Sequence, residues 1–327
     1  MKPLQRWMSV IFFVLGIGGL HLMGMGCLKA QDFPTKAIHY IVPFPPGGIT
    51  DKMARTVGQR ISEVWKQPVL VENRPSGNAL SGADWVAKSS PDGHTWLAMT
   101  IAHAVNVSLY PQAPYNFVRD LKTVIINGSL PMVLVVAQNL PVKNLAELTA
   151  LGKKRSLNGG SGGNGTPQHL AYELYRLSTG LDAHHIPYKG SMAPLISLIG
   201  GDVDFVITAL PDGLPSIRSG KLRAIAITTL KRHSLIADTP TTAEAGVPQL
   251  LMNSWTGVMV PSATPKEWVN RINAEVVKTL KQAEVAEGLR LQGFEVVADS
   301  VEASQDFVIS EVERLGKIVR LTHIQPD

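Results

Sequence analysis

The sequence predicts an α/β protein of two lobes, and three observations carry the prediction. Short apolar runs alternate with amphipathic ones along most of the chain, the pattern of a mostly parallel sheet with helices on its faces. Two apolar stretches, within 123–137 and at 255–260, break that rhythm and read as strands crossing between lobes. Two glycine-rich turns, Pro43-Phe44-Pro45-Pro46-Gly47-Gly48 and Gly159-Gly160-Ser161-Gly162-Gly163-Asn164-Gly165-Thr166, each open a helix-like run, and more than a hundred residues separate them.

The elements follow in order. Residues 38–42 are an apolar run ending at a proline turn, as a strand ends before a loop. Residues 51–66 put Met53, Ala54, Val57, Ile61, Val64 and Trp65 on one helical face, and Thr50 or Asp51 is the expected cap. A strand at 69–72, a helix at 83–88, the Pro91-Asp92-Gly93 turn and a strand at 95–99 continue the alternation. Strands at 123–126 and 132–137 follow, separated by Gly128-Ser129-Leu130-Pro131. The second series reads helix 145–153, turn 159–166, helix 167–178, strand 183–186, helix 193–199 and strands 203–208 and 222–228. Residues 255–260 return the chain, and helices at 265–281 and 301–319 close it. The expected division is 31–130 plus 255–327 for the first lobe and 131–254 for the second.

The first thirty residues hold Lys2, Arg6 and Lys29, no acidic residue, and an apolar centre from Met8 to Leu20. They read as a secretory leader, cleaved near Ala30, because glycines and His21 interrupt the roughly 20 apolar residues that a membrane anchor needs. Cys27, the only cysteine, is a weak match to a lipidation signal. Without the leader, the formal charge falls from +5 to +2, leaving 28 basic against 26 acidic side chains. The longest basic run, Lys153-Lys154-Arg155, has no aromatic interleaving, so nucleic acid is not an expected partner. The mature chain would lack both disulfides and a thiol nucleophile.

Each glycine turn resembles half of an anion site. A helix start presents unpaired N–H groups and the positive end of the macrodipole, and glycine lets an anion approach the backbone. A hydrogen bond to a charged group contributes roughly 1.5–3 kcal/mol, so four donors would supply about 6–12 kcal/mol. A micromolar receptor needs about 8 kcal/mol. Two rival chemistries share these residues. Gly160, Gly162 and Gly165, with Asp182 about twenty residues on, fit the G-x-G-x-x-G spacing of a dinucleotide site. Ser161, His169 and Asp204 are the residue types of a nucleophilic triad, without the G-x-S-x-G elbow. His184 and His185 are adjacent on a strand and point to opposite faces, so no metal site is expected. Trp255 would either stack on a ligand or pack in the crossing.

With these residues in view, the chain resembles the solute-binding proteins of tripartite tricarboxylate transporters, also called Bug receptors. The resemblance rests on ordered motifs: Val42 to Gly48 with Asp51 and Arg55, Val71-Glu72-Asn73-Arg74-Pro75, Ser161 to Thr166 with His169-Leu170, Ile186-Pro187-Tyr188-Lys189-Gly190, Gly200-Gly201-Asp202-Val203-Asp204, and Gly220-Lys221-Leu222-Arg223-Ala224. It implies a periplasmic, type II Venus-flytrap fold that binds a small organic acid in the cleft and hands it to membrane permease subunits. It further implies a monomer with no cofactor and no catalytic residue. The site residues carried over are Phe44, Gly47, Gly48 and Asp51 from the first lobe, Ser161, Asn164, Gly165 and Thr166 from the second, and Thr100, Ala102, Tyr188 and Asp204 at the borders. The chain departs from the family's pattern at Ser76 to Gly82 and at His94. An exported enzyme acting on a carboxylic acid is the alternative, and a dinucleotide-binding oxidoreductase the further one.

Overall fold

A computed structural model describes residues 33–75 and 79–326. The leader and Cys27 therefore lie outside the described residues. Contacts divide the chain into Met1–Thr35 and Lys36–Asp327. Of the first unit only Phe33, Pro34 and Thr35 are described.

The second unit is built on two sheets that share one strand. In the first, β1 (Ile38–Val42) runs parallel to β2 (Val69–Asn73) and β3 (Thr95–Thr100), and β9 (Asn253–Pro261) is antiparallel to β3. Strand β4 (Leu121–Ala137) pairs with β9 from Leu121 to Pro131. It then changes partners, pairing from Met132 onward with β7 (Phe205–Ala209) and β8 (Leu222–Ile227). Strand β5 (Leu157–Ser161) lies parallel to β7 and to β6 (Ala183–Pro187). A two-residue strand, β10 (Glu295–Val296), pairs with β4 at Ser129 and Gly128.

Helices cover the sheets where the apolar spacing places them. Helix α1 (Ile49–Trp65) buries Met53, Ala54, Val57 and Ile61, which recur every three or four residues and so share one face. Helices α2 (Leu80–Ala87), α3 (Ile101–Leu109) and α4 (Phe117–Asp120) follow in the first half. The second half holds α5 (Leu145–Gly152), α6 (Pro167–Thr179), α7 (Ala193–Gly200) and α8 (Leu210–Arg218). Helices α9 (Lys266–Leu280), α10 (Ala283–Leu291) and α11 (Val301–Thr322) complete the chain.

Three differences from the sequence reading have physical causes. The strands expected at 123–126 and 132–137 are one strand of 17 residues. Gly128 and Pro131 do not break it: register shifts precede Gly128, and Pro131 sits where β4 exchanges one set of partners for another, a place that tolerates a missing N–H. Gly159 and Gly160 belong to β5 rather than to the turn. A Cβ on Gly159 would collide with the Tyr172 and Phe205 rings, so this glycine serves packing. Helices α3 and α8 were not expected: α3 is buried on nearly every face, which erases its periodicity, and α8 carries Pro211 and Pro215 within nine residues.

The sharing of β4 and β9 predicts a mutational contrast. A Cβ on Gly257 of β9 would overlap the Ile125 carbonyl and the Met99 methyl, whereas one on Gly288 of α10 meets nothing within 4 Å. Gly257→Ala should lower stability by about 1–3 kcal/mol, and Gly288→Ala should raise it by up to about 1 kcal/mol. Urea unfolding midpoints of the two variants check this.

Candidate functional site

The parallel strands of both sheets end in turns that open helices, and these turns meet. Crevices outside the carboxyl ends of such strands are where open α/β sheets bind ligands. The β1–α1 turn carries Gly47 with φ +85° and Gly48 as the helix cap. A Cβ on Gly48 would lie 3.6 Å from Ser191 Oγ, and one on Gly190 would lie 3.5 Å from Pro45 Cγ. The turn after β1 thus touches the turn after β6. The Phe44 ring meets the His103 ring of α3 edge-on at 6.1 Å. Gly165 of the β5–α6 turn packs on Leu109 and Val105 of α3. Gly162 of the same turn accepts from the Gly190 amide at 3.1 Å, which closes the ring of contacts.

No side chain caps α1, so its first amides keep the orphan donors of a helix start. The cap expected from Thr50 or Asp51 does not form. Asp51 instead turns back: Oδ2 accepts from the Gly47 amide and Arg55 Nε, both at 3.0 Å, and Oδ1 accepts from Asn73 Nδ2 at 2.9 Å. Burial alone would raise this carboxyl, but the donors from Arg55, Gly47 and Asn73 outweigh burial and hold it below the usual carboxylate range. Asp51 and Gly47 therefore shape the turn from within. Asn73 also donates to the Phe44 carbonyl at 3.2 Å, tying the turn to β2.

Thr100 caps α3. Its Oγ1 accepts from the Ala102 amide at 3.2 Å, while its own amide donates to His103 Nδ1 at 3.0 Å. With Nδ1 accepting, the His103 proton sits on Nε2, which is buried and has no partner. Burial pushes His103 down to about 4, so the ring is neutral.

The β5–α6 turn is equally self-bonded. Ser161 is fully buried; its Oγ accepts from the Gly163 amide at 3.1 Å and lies 2.6 Å from His185 Nε2. The Gly165 amide donates to His169 Nδ1 at 3.2 Å, and Thr166 caps α6 by accepting from the His169 amide. The His169 and His185 rings stack at 3.7 Å. Burial and the adjacent His169 push His185 down to about 3. Asn164 is half-buried in this turn, and the Tyr188 amide donates to the Ser161 carbonyl at 2.9 Å.

Asp204 is not brought to this ring. It precedes β7, where its carboxylate pairs with Arg155 and accepts from the Asn158 amide at 2.8 Å, at the amino ends of the parallel strands. The triad types are therefore not assembled, since Ser161 meets His185 and Asp204 meets Arg155. Gly160 likewise lies in β5 rather than in the turn. Trp255 packs from β9 against α11: Nε1 donates to Glu311 at 2.8 Å, and the ring meets Phe307 edge-on at 5.6 Å. A groove of about 940 Å³ opens there, lined by Leu230, Arg232, Trp255, Phe307 and Arg314, away from the turns.

The sequence reading missed Gln168, Ser191 and Asp212. Gln168 Nε2 donates to the Thr208 hydroxyl at 2.9 Å and to the Ser191 carbonyl at 3.4 Å. A Cβ on Gly162 would lie 2.7 Å from Gln168 Oε1. Asp212 is 1% exposed in the first turn of α8. The proline-then-acid order of Pro211-Asp212 after a strand was the signal for that helix start.

Comparison with known proteins decides the family. The profile of the tripartite tricarboxylate transporter family receptor matches residues 53–324. The chain belongs to this receptor family. Protein BugT of Bordetella pertussis is 35% identical over 323 residues, 98% of each chain. The structure of Rpa4515 from R. palustris with adipate superposes with a TM-score of 0.87 at 34% identity, over 90% of this chain and all of that one. MatC from Rhodopseudomonas palustris, with bound malate, superposes with a TM-score of 0.82 at 28% identity, over 88% of this chain and all of that one. The family is one of solute-binding receptors and not of enzymes.

The role assigned to Asp51 yields a prediction. Its lowered carboxyl contributes stability that is complete above the unfolded-state value and is lost as pH falls through the lowered folded value. At neutral pH, Asp51→Asn should cost about 1.5–3 kcal/mol for the buried charged bonds, with little from the half-exposed Arg55. Unfolding curves at pH 7 and pH 3 should show that difference shrinking at the acid end.

Proposed function

We propose that this receptor captures a small organic carboxylate between the β1–α1 turn of one lobe and the turns after β5 and β6 of the other, and delivers it to membrane permease subunits of a tripartite tricarboxylate transporter. The lobes on this reading are 31–130 plus 255–327 and 131–254, with β4 and β9 as the crossing. The observation that carries the reading is the uncapped start of α1 at Gly48, facing Ser191 from the other sheet. An uncapped helix start offers amides and a positive dipole end to an anion. That turn and the one bearing Ser191 contact a single small acid together only when the lobes are closed, so the ligand favours the closed state by its differential affinity.

Phe44, Gly48, Thr100 and the Ser161–Thr166 turn border this cleft. Gly47, Asp51, Ala102, Gly165 and Thr166 act through their internal bonds, which fix the turns in place before ligand arrives. Asp204 has no part in it, given its pairing with Arg155. Export by a cleaved leader, release into the periplasm and action as a monomer without a cofactor complete the reading. The relatives solved with adipate and with malate support a carboxylate as the ligand class.

A thermal-shift screen of mono-, di- and tricarboxylates tests it. An acid at 100 times its dissociation constant adds about 2.7 kcal/mol of stability, so a true ligand raises the melting temperature by several degrees. Gly48→Val has an ordinary extended backbone to occupy, with φ −75° and ψ 174°. The variant should fold like the parent and lose the shift. A shift that survives in Gly48→Val would place the site elsewhere.

A further inference from the structure

We infer that the cleft has an acceptor pole, built from Asp212 and Gln168, which reads a hydrogen-bond donor on the ligand; the preferred guest is a hydroxy- or amino-substituted acid rather than a plain dicarboxylate. The inference rests on the receptor reading above and specifies its ligand class.

Two buried side chains that each reach Ser191 carry acceptors short of donors. No hydrogen bond reaches Gln168 Oε1, and the Ser191 hydroxyl approaches Asp212 without satisfying either of its oxygens. The two side chains are 1% and 5% exposed. Buried acceptors are normally satisfied, and orphans mark a place where a donor is missing. Both belong to the ring of turns. Gln168 reaches the Ser191 carbonyl through Nε2 and flanks Gly162 through Oε1. The Ser191 hydroxyl, which faces Gly48, lies near enough to Asp212 to offset part of the effect of its burial. The chain Gly48, Ser191, Asp212 thus runs from the anion-holding helix start to the orphan carboxylate.

The chemistry of the two poles differs in sign. The start of α1 attracts negative charge, whereas Asp212 repels it. Lys52, one turn into α1, is the cation that faces Asp212. Burial pushes the Asp212 carboxyl up to about 6, more than the Ser191 hydroxyl and the Lys52 cation pull it back. A hydroxyl or ammonium on the ligand would supply the missing donor to Asp212 or Gln168. A second carboxylate in that place would set like charges side by side, and an apolar chain would leave both acceptors unpaired. Sites built around buried hydrogen-bonding groups discriminate strongly against analogues lacking the complementary group.

Calorimetric titration of the full mature chain with succinate, malate and aspartate tests this on one four-carbon skeleton, with hydrogen, hydroxyl or ammonium at one carbon. Malate or aspartate should bind at least about tenfold more tightly than succinate, and whichever binds more tightly identifies the donor. In Asp212→Asn, and separately in Gln168→Leu, that preference should fall several-fold while succinate binding holds or improves. Two variants are used so that a misfolded one does not decide the matter. Succinate binding as tightly as the substituted acids, or an unchanged preference in both variants, would overturn the inference and leave the receptor reading standing. If none of the acids, nor any member of the wider carboxylate screen, binds the wild-type chain, the receptor reading fails and takes this inference with it.

Discussion

One strand changing partners is the constraint on which the candidate site depends. Strand β4 must satisfy β9 over its first half and β7 and β8 over its second without interruption. A backbone that leaves one sheet and enters another has to keep its N–H and C=O groups paired throughout. Register shifts before Gly128 and the proline at 131 let it do so. Strand β9 lies beside β4 up to Pro131, and the unbroken β4 backbone carries on into the second sheet, which fixes how the carboxyl ends of the parallel strands approach one another. The meeting of Pro45 with Gly190 and of Gly48 with Ser191 follows from it.

The turns at those carboxyl ends differ from a simple array of open amides. Donors in the glycine stretches are used internally, Gly47 giving to Asp51, Gly163 to Ser161 and Gly165 to His169, and at the start of α3 Ala102 likewise gives to Thr100. Such bonds hold each turn in one conformation, so binding does not have to order the loops at the same time. The open positive end is the start of α1. On the proposed reading, fewer donors are left for a ligand than a count of glycines implies.

Much of this was legible in the sequence because the signals are local. The amphipathic face Met53, Ala54, Val57, Ile61 placed α1, although its cap is Gly48 rather than the expected Thr50 or Asp51. The ordered motifs identified the family, which the profile match over residues 53–324 bears out. Long-range consequences were less legible. That Gly159 serves packing depends on Tyr172 and Phe205, and that Gly160 does on Pro194, Val203 and Val206, all from elsewhere in the chain. Asp204 looked like a cleft residue by its motif, yet Arg155 captures it at the other end of the strand. Helix α8 was hidden because two prolines mask its pattern, and with it went Asp212. Ser191 carried no sequence signal at all; only its juxtaposition with Gly48 gives it a role.

The central claim is that the turns bearing Gly48 and Ser191 meet over an acidic ligand. The most direct measurement is disulfide formation between Gly48→Cys and Ser191→Cys, in a chain whose Cys27 is replaced by serine. A Cβ on Gly48 would lie 3.6 Å from Ser191 Oγ, so a small closing movement brings the two Cβ atoms to the ~3.5–4.5 Å that a disulfide requires. The account predicts that this bond forms under mild oxidation and, because it fills the place beside Gly48 where the carboxylate is proposed to sit, that the cross-linked chain shows no thermal shift with any acid that shifts the parent. Thiols that stay reduced, or a cross-linked chain that keeps the parent's shift, would contradict it.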